Sequence, residues 1–257
     1  MIKLKKGTAI PHIEVDVRGP ARLMNNVAKE PKQINFIDYD GTLRYSYTAK
    51  EFTALSDMPA NPTHEKLLGQ GWNWTREEIL AQLAAVPDGK VWVGQMYITK
   101  SGATEIDFFL NNPDLLTPYI RINIDGTATL DWGDGSPTET ITGTSIGESK
   151  YAHHTYASVG EYTISLNVIS GTGRLFNGYI LSNTDSTPNT ARRYSTTISF
   201  IRIGNNTLID NYAFSGCTKL EYVTIASGVE SVGKAFDSIL SLRSLTLPHN
   251  ITTLAMH

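Results

Sequence analysis

The sequence is short of several features that would settle its class at once. It holds a single cysteine, Cys217, which excludes an internal disulfide and a thiolate metal cluster, so its stability has to come from packing. No stretch approaches the roughly 18 consecutive apolar residues of a membrane-crossing helix, and membrane insertion is not expected. There is no basic excess: 22 Lys and Arg stand against 25 Asp and Glu, a formal net charge of -3, so nothing global favours nucleic acid as a partner. The N-terminal stretch "MIKLKKGTAIPHIEVDVRG" has lysines but lacks the apolar run of about 7–15 residues that would make it a secretory signal. What is present is 257 residues, 40% hydrophobic and 18% charged, enough for one to three domains with their own cores.

The stretch "INFIDYDGTL", residues 34–43, resembles the nucleophile motif of the haloacid-dehalogenase phosphatases. A purely structural explanation competes with it. Ile34 and Phe36 alternate before Asp40-Gly41, and Leu43, Tyr45 and Tyr47 alternate after it. Asp-Gly between alternating runs predicts a hairpin with a two-residue type I′ turn, both central residues having positive φ. Asp38 then falls at a strand end or makes a local amide contact. Two helix starts follow, Thr48 to Glu51 and Thr75 to Glu78, each a Thr-x-x-Glu capping box. After the second, Ile79, Leu80, Leu83 and Ala84 form one apolar stripe that Pro87-Asp88-Gly89 ends. Trp72 and Trp74, beside that start, could stack a sugar or a protein, but tryptophans so placed are expected as core anchors.

A phosphatase of that family needs a parallel sheet with alternating helices and a later acidic pair for magnesium. The later candidate, "GDGS" at 133–136, sits instead among the runs "VWVGQMYIT", "EIDFFL", "YIRINI", "TATLDW", "YAHHTY" and "EYTISLNVI". Short strands with frequent turn signals predict an antiparallel sandwich, and an enzyme is not expected.

Within that region "TLDWGDGSPTE" followed by "HHTYASVGEYTISLNV" resembles a polycystic-kidney-disease (PKD) domain, an Ig-like β-sandwich. The matching residues are Trp132, Gly133, Asp134 and Gly135, then His154 and Tyr156, then Gly160 and Tyr162. The family's commoner Trp-Asp-Phe-Gly-Asp-Gly is here Asp-Trp-Gly-Asp-Gly, one residue shorter before the turn. The resemblance implies a non-catalytic spacer or adhesion module. Trp132 and Tyr162 suit a core between sheets, and Tyr156 should bury its ring while its hydroxyl finds a backbone partner. Asp131, Asp134, His153 and His154 could hold a metal, but no third ligand stands at a recognisable spacing; turn amides account for the aspartates, and no metal or cofactor is expected.

Residues 171–197 are expected to be a connection with one short strand, "LFNGYIL", and a solvated loop carrying Arg192 and Arg193. Beyond them lies an internal repeat. Phe214 and Phe236, Leu220 and Leu242, Val223 and Leu245, Ile225 and Leu247, and Val229 and Ile251 are each 22 apart. "ISFIRIG", 198–204, fits the strand of a preceding half-copy. Such a period means stacked units too small to bury their own apolar faces. The pattern resembles the BspA-like leucine-rich repeat of bacterial surface proteins and phage tail proteins, in which Cys217 is a buried small residue rather than a nucleophile.

The expected architecture is mainly β and multidomain: a small α+β attachment module (1–100), a PKD-like sandwich (101–170), the connection (171–197) and a short leucine-rich-repeat solenoid (198–257). This order is similar to tail or surface proteins of prophages. It implies a non-enzymatic protein of a virion tail, with other virion or surface proteins and a host-cell glycan or protein as partners. A homo-oligomer is expected, a trimer by analogy with tail appendages. The absence of a signal peptide favours exit on lysis, or else a processed chain. The rivals are an extracellular adhesin of a bacterial cell surface and an accessory fragment of a secreted hydrolase.

Overall fold

Two hydrophobic cores form, one within the N-terminal module and one shared by the alternating strands and the 22-residue repeats. The computed structural model describes residues 31–175, 181–182, 194, 196–229, 231–236, 239–248, 251 and 253–254. All but the two ends of "LFNGYIL", and the Arg192-Arg193 pair, lie outside the described residues.

In chain order the first elements are β1 (Ile34–Ile37), β2 (Leu43–Tyr47), α1 (Ala49–Thr53), β3 (Leu67–Trp72), α2 (Arg76–Ala85) and β4 (Val91–Thr99). β1 to β4 form a four-stranded sheet in the order β2-β1-β4-β3. The predicted hairpin is present, but its turn differs from the expected type. Asp38 N donates to Thr42 O at 2.9 Å and Gly41 N to Asp38 O at 3.0 Å. Of the three loop residues only Gly41 has positive φ, at 81°. This is the three-residue loop with a left-handed glycine at its close, because three residues separate the paired ends rather than two. Both capping boxes form as predicted, Thr48 with Glu51 and Thr75 with Glu78. Ile79 and Leu83 are buried against the sheet and Leu80 partly so; Ala84, expected in the stripe, faces solvent. Ile34, Phe36, Phe52, Val91 and Val93 complete the buried part of this core, a fully buried Phe contributing about 1.5–3 kcal/mol over an exposed one.

The remaining strands are β5 (Thr104–Leu110), β6 (Tyr119–Asp131), β7 (Glu139–His153), β8 (Gly160–Leu175), β9 (Leu181–Ser182), β10 (Ile198–Ile203), β11 (Thr207–Ile209), β12 (Tyr222–Ile225), β13 (Ser231–Gly233), β14 (Ser244–Leu245) and β15 (Thr253–Leu254). "YIRINI" and "TATLDW" do not form separate strands. They are one bent strand, β6, since Asp125-Gly126 continues the ladder opposite Thr144-Gly143 and Thr172-Gly171 instead of turning the chain. Register shifts near this point bend the strand without breaking it.

One sheet of order β14-β12-β10-β5-β8-β6-β7 runs from the 101–170 region into the repeats. β5 pairs antiparallel with both β8 and β10, and a single core extends from Ile98 to Phe236. In the repeats, β10 pairs parallel with β12 and β12 with β14, in the registers Phe200 to Tyr222 and Tyr222 to Ser244. The ladder offset equals the 22-residue sequence period, so each copy adds one strand. The protein is mainly β with few helices. Among the described residues no helix is long and apolar enough to cross a membrane.

Candidate functional site

Three constellations bring chemistry-bearing residues together. The first is centred on Asp38, at the carboxyl end of β1, which pairs in parallel with β4. Its side chain is fully buried. Oδ1 accepts from Tyr39 N at 2.8 Å and from Tyr97 Oη at 2.7 Å. Oδ2 accepts from Arg44 Nε at 2.9 Å and Nη2 at 2.6 Å, with His64 Nε2 at 3.0 Å. Burial works to raise the Asp38 pKa, but the bonds from Tyr97, Arg44 and Tyr39 and the charge of His64 outweigh it, and the carboxyl titrates below its ordinary value. Burial and the Asp38 carboxylate push the Tyr97 phenol upward. A nucleophilic aspartate needs a free oxygen facing a substrate, whereas both oxygens here face inward and are occupied. Asp40 accepts from Thr42 N at 2.8 Å, an ordinary turn contact. The geometry suits a polar lock joining β1, β2, β4 and the 62–66 segment.

The second constellation gathers the residues singled out between 131 and 162. Trp132 is fully buried; its indole donates to Glu139 Oε1 at 2.6 Å and its ring stacks on His154 at 5.4 Å. Tyr156 buries its ring, and its hydroxyl donates to Trp132 O at 2.7 Å. Tyr162 packs against Tyr156 with ring centroids 4.1 Å apart and donates to Ser158 O. Gly133 and Gly135 take the positive φ of the turn. Asp131 accepts from Gly133 N and Asp134 from Ser136 N, as turn residues do. Ser136, together with His154 at 2.7 Å from Oδ2, holds the Asp134 carboxyl down to about 2. His153 stacks on Tyr119 instead. Among the described residues no group of three His, Cys, Asp or Glu could hold a metal. This cluster braces a turn.

The third is an interface. On β10, β12 and β14 one row of side chains (Ile201, Ile203, Val223, Ile225) enters the large core. The opposite row is the outer face of the repeat sheet, and the N-terminal sheet covers it. Tyr39 stacks on Phe200 at 5.4 Å and meets Tyr222 edge-on at 6.0 Å. Gly94 on β4 lies so close to Thr246 that an added Cβ would fall 2.2 Å from its Oγ1. Asn73 Nδ2 donates to Leu247 O at 3.2 Å, and Ser227 N donates to Gln70 Oε1 at 2.8 Å. Arg202, also on this face, lies over the Phe200 ring at 4.1 Å and pairs with Glu105 at 3.2 Å and with Asp107 at 2.9 Å. The Thr224 and Thr246 hydroxyls are buried there with no hydrogen-bond partner. On the other side of the strands, Phe214 and Phe236 pack with ring centroids 5.3 Å apart, tilted by 43°. Cys217 is buried beside them, and burial pushes its thiol up to about 12, well away from a reactive thiolate.

Asp38 was visible in the sequence, but its partners were not. Arg44 is the extra residue where the β1–β2 register shifts, between Leu43 opposite Ile37 and Tyr45 opposite Phe36, and that shift carries no sequence signal. His64 and Tyr97 are 26 and 59 residues away and carry no local signal.

A family model described as BspA type leucine rich repeat region matches residues 186–257. Comparisons with curated proteins and with solved structures give no match. The C-terminal part of the chain is thus similar to BspA-type repeats, in agreement with the 22-residue spacing and the parallel ladder.

Proposed function

We propose that this chain is a non-enzymatic structural and binding protein that acts at a surface, as part of a phage tail or tail-like particle that attaches to a host-cell glycan or protein. The observation that carries the reading is the match of residues 186–257 to BspA-type repeats, which resemble those of bacterial surface and phage tail proteins. The turn at Trp132–Gly135 and the aromatic cluster beneath it are consistent with the PKD-like, Ig-like module that the sequence resembles. The inward, fully engaged carboxylate of Asp38 favours a structural role for the one motif that looked enzymatic.

The covered face narrows where attachment can occur. Repeat arrays commonly bind on the exposed face of their sheet, but here the outer row of β10, β12 and β14 is occupied by the chain's own N-terminal module. Attachment therefore falls to the loops, to the remaining repeat surfaces or to the N-terminal module itself.

A bacterial surface adhesin is the second reading, favoured by the same family match. An antibody against the protein separates the two: labelling of tail-like particles released on lysis is expected, labelling of intact cell walls supports the adhesin, and labelling of neither refutes both. A trimer in solution, measured by mass photometry, is the expected oligomeric state.

A further inference from the structure

Trp72 and Trp74 are only partly buried against the N-terminal core. They also line an open cleft of about 680 Å3, with Asp57 and Asn61 from the segment after α1 and Arg76 and Glu77 from the first turn of α2. The two rings pack against the core as expected, and they face the cleft as well.

The walls of this cleft are held in place. A register shift between Gly69 and Gly71 re-aims the end of β3. The Trp72 indole donates to Pro59 O at 2.8 Å, tying the facing loop to the ring, and its edge meets Phe36 at 4.8 Å. Arg76 donates to Thr53 O at 2.9 Å and lies 5.1 Å over the Phe52 ring. The Thr75 capping box fixes the turn that carries Glu77. Asp57, Asn61 and Glu77 are exposed. A rigid aromatic wall bordered by polar side chains is the composition of a small-ligand site, and the volume falls within the usual range of about 300–1,000 Å3.

The chemistry of the walls selects the ligand. An indole face packs against the C–H face of a pyranose ring, and carboxylates and an amide accept and donate to its hydroxyls. Two carboxylates against one guanidinium give the cleft a slight negative balance, which opposes sialic acids, uronic acids and phosphates. We propose that this cleft binds a neutral or N-acetylated oligosaccharide, the Trp74 ring stacking on a sugar and Asp57 and Glu77 accepting from its hydroxyls. The inference rests on the surface-attachment reading and gives it a ligand class and a site.

The test is isothermal titration calorimetry on the full chain with the β-1,4-linked N-acetylglucosamine trisaccharide, maltotriose and, as an anionic control, sialyllactose. At least one neutral trisaccharide should bind with a Kd of about 1 mM or tighter, and sialyllactose about tenfold more weakly or worse. Trp74→Ala and Glu77→Gln should each weaken binding about tenfold; Trp74→Ala also lowers the unfolding midpoint, because the ring packs against the N-terminal core, so the exposed Glu77→Gln, with an unchanged midpoint, carries the test. No binding of either neutral trisaccharide, a preference for sialyllactose, or wild-type affinity in Glu77→Gln overturns the site. Cell binding by the wild type without trisaccharide binding overturns the site and leaves the attachment reading standing. Trisaccharide binding without cell binding supports the site and overturns the attachment reading.

Discussion

Asp38→Asn removes the charge at the centre of the N-terminal lock while keeping the side chain's shape. The carboxylate is fully buried and accepts from Tyr39, Tyr97 and Arg44, with His64 within hydrogen-bond distance. Asparagine would turn an NH2 toward donors that need an acceptor. Removing one member of a buried ion pair costs roughly 3–5 kcal/mol. Arg44 is 38% exposed, so water takes up part of its lost partner and the expected cost falls to about 3 kcal/mol. For a protein of this size that lowers Tm by about 6–12 °C. Urea unfolding followed by tryptophan fluorescence should show a lower midpoint with an unchanged m-value. Tyr97→Phe, which deletes one donor, should cost about 1–2 kcal/mol, and the two changes together less than their sum because they act on one carboxylate. Because the Asp38 pKa is lowered on folding, its contribution is complete above the ordinary value of 3.8 and is lost as pH falls through the lower folded value. A change within about 0.5 kcal/mol for Asp38→Asn would show that the lock does not hold the module.

Asp134 follows the same sign: with its pKa held at about 2, stability should fall as pH drops from about 4 to about 2, and acid titration of unfolding should show this part of the loss missing in Asp134→Asn. Arg202→Ala leaves Glu105 and Asp107 facing each other without their cation and should cost about 3 kcal/mol in urea unfolding. Thr246→Val removes a buried hydroxyl that has no partner while keeping the side chain's shape, so stability should stay level or rise by about 1 kcal/mol. Cys217 should react with a chromogenic disulfide reagent about 100-fold more slowly in the native protein than in urea, since the thiol is buried and its pKa is pushed up to about 12.

What could be read from the sequence was local or periodic. The capping boxes at Thr48 and Thr75 formed because each needs residues only three apart. The repeat spacing of 22 became the ladder register, since stacking turns a sequence period directly into a pairing offset. The Asp40-Gly41 hairpin was visible, but its loop length was not, because an Asp-Gly pair is compatible with two-residue and three-residue turns. Asp125-Gly126 has the letters of a turn yet continues β6, a choice made by Gly171 on the neighbouring strand. The sharing of one sheet by β5 and β10 had no sequence signal, since a strand's sequence shows its alternation but not its neighbour. Tyr39 was similarly silent: a single tyrosine in a turn gives no hint that it lies on Phe200, 161 residues away in the numbering.

The central claim, that the chain is a surface-binding protein, is tested most directly by flow cytometry of the fluorescently labelled full chain on whole bacterial cells, with unlabelled protein as competitor. The account predicts saturable binding that the competitor displaces and that Asp40→Ala, in the β1–β2 turn, leaves unchanged. Binding that never saturates, or that is absent from every cell surface tried, would contradict it.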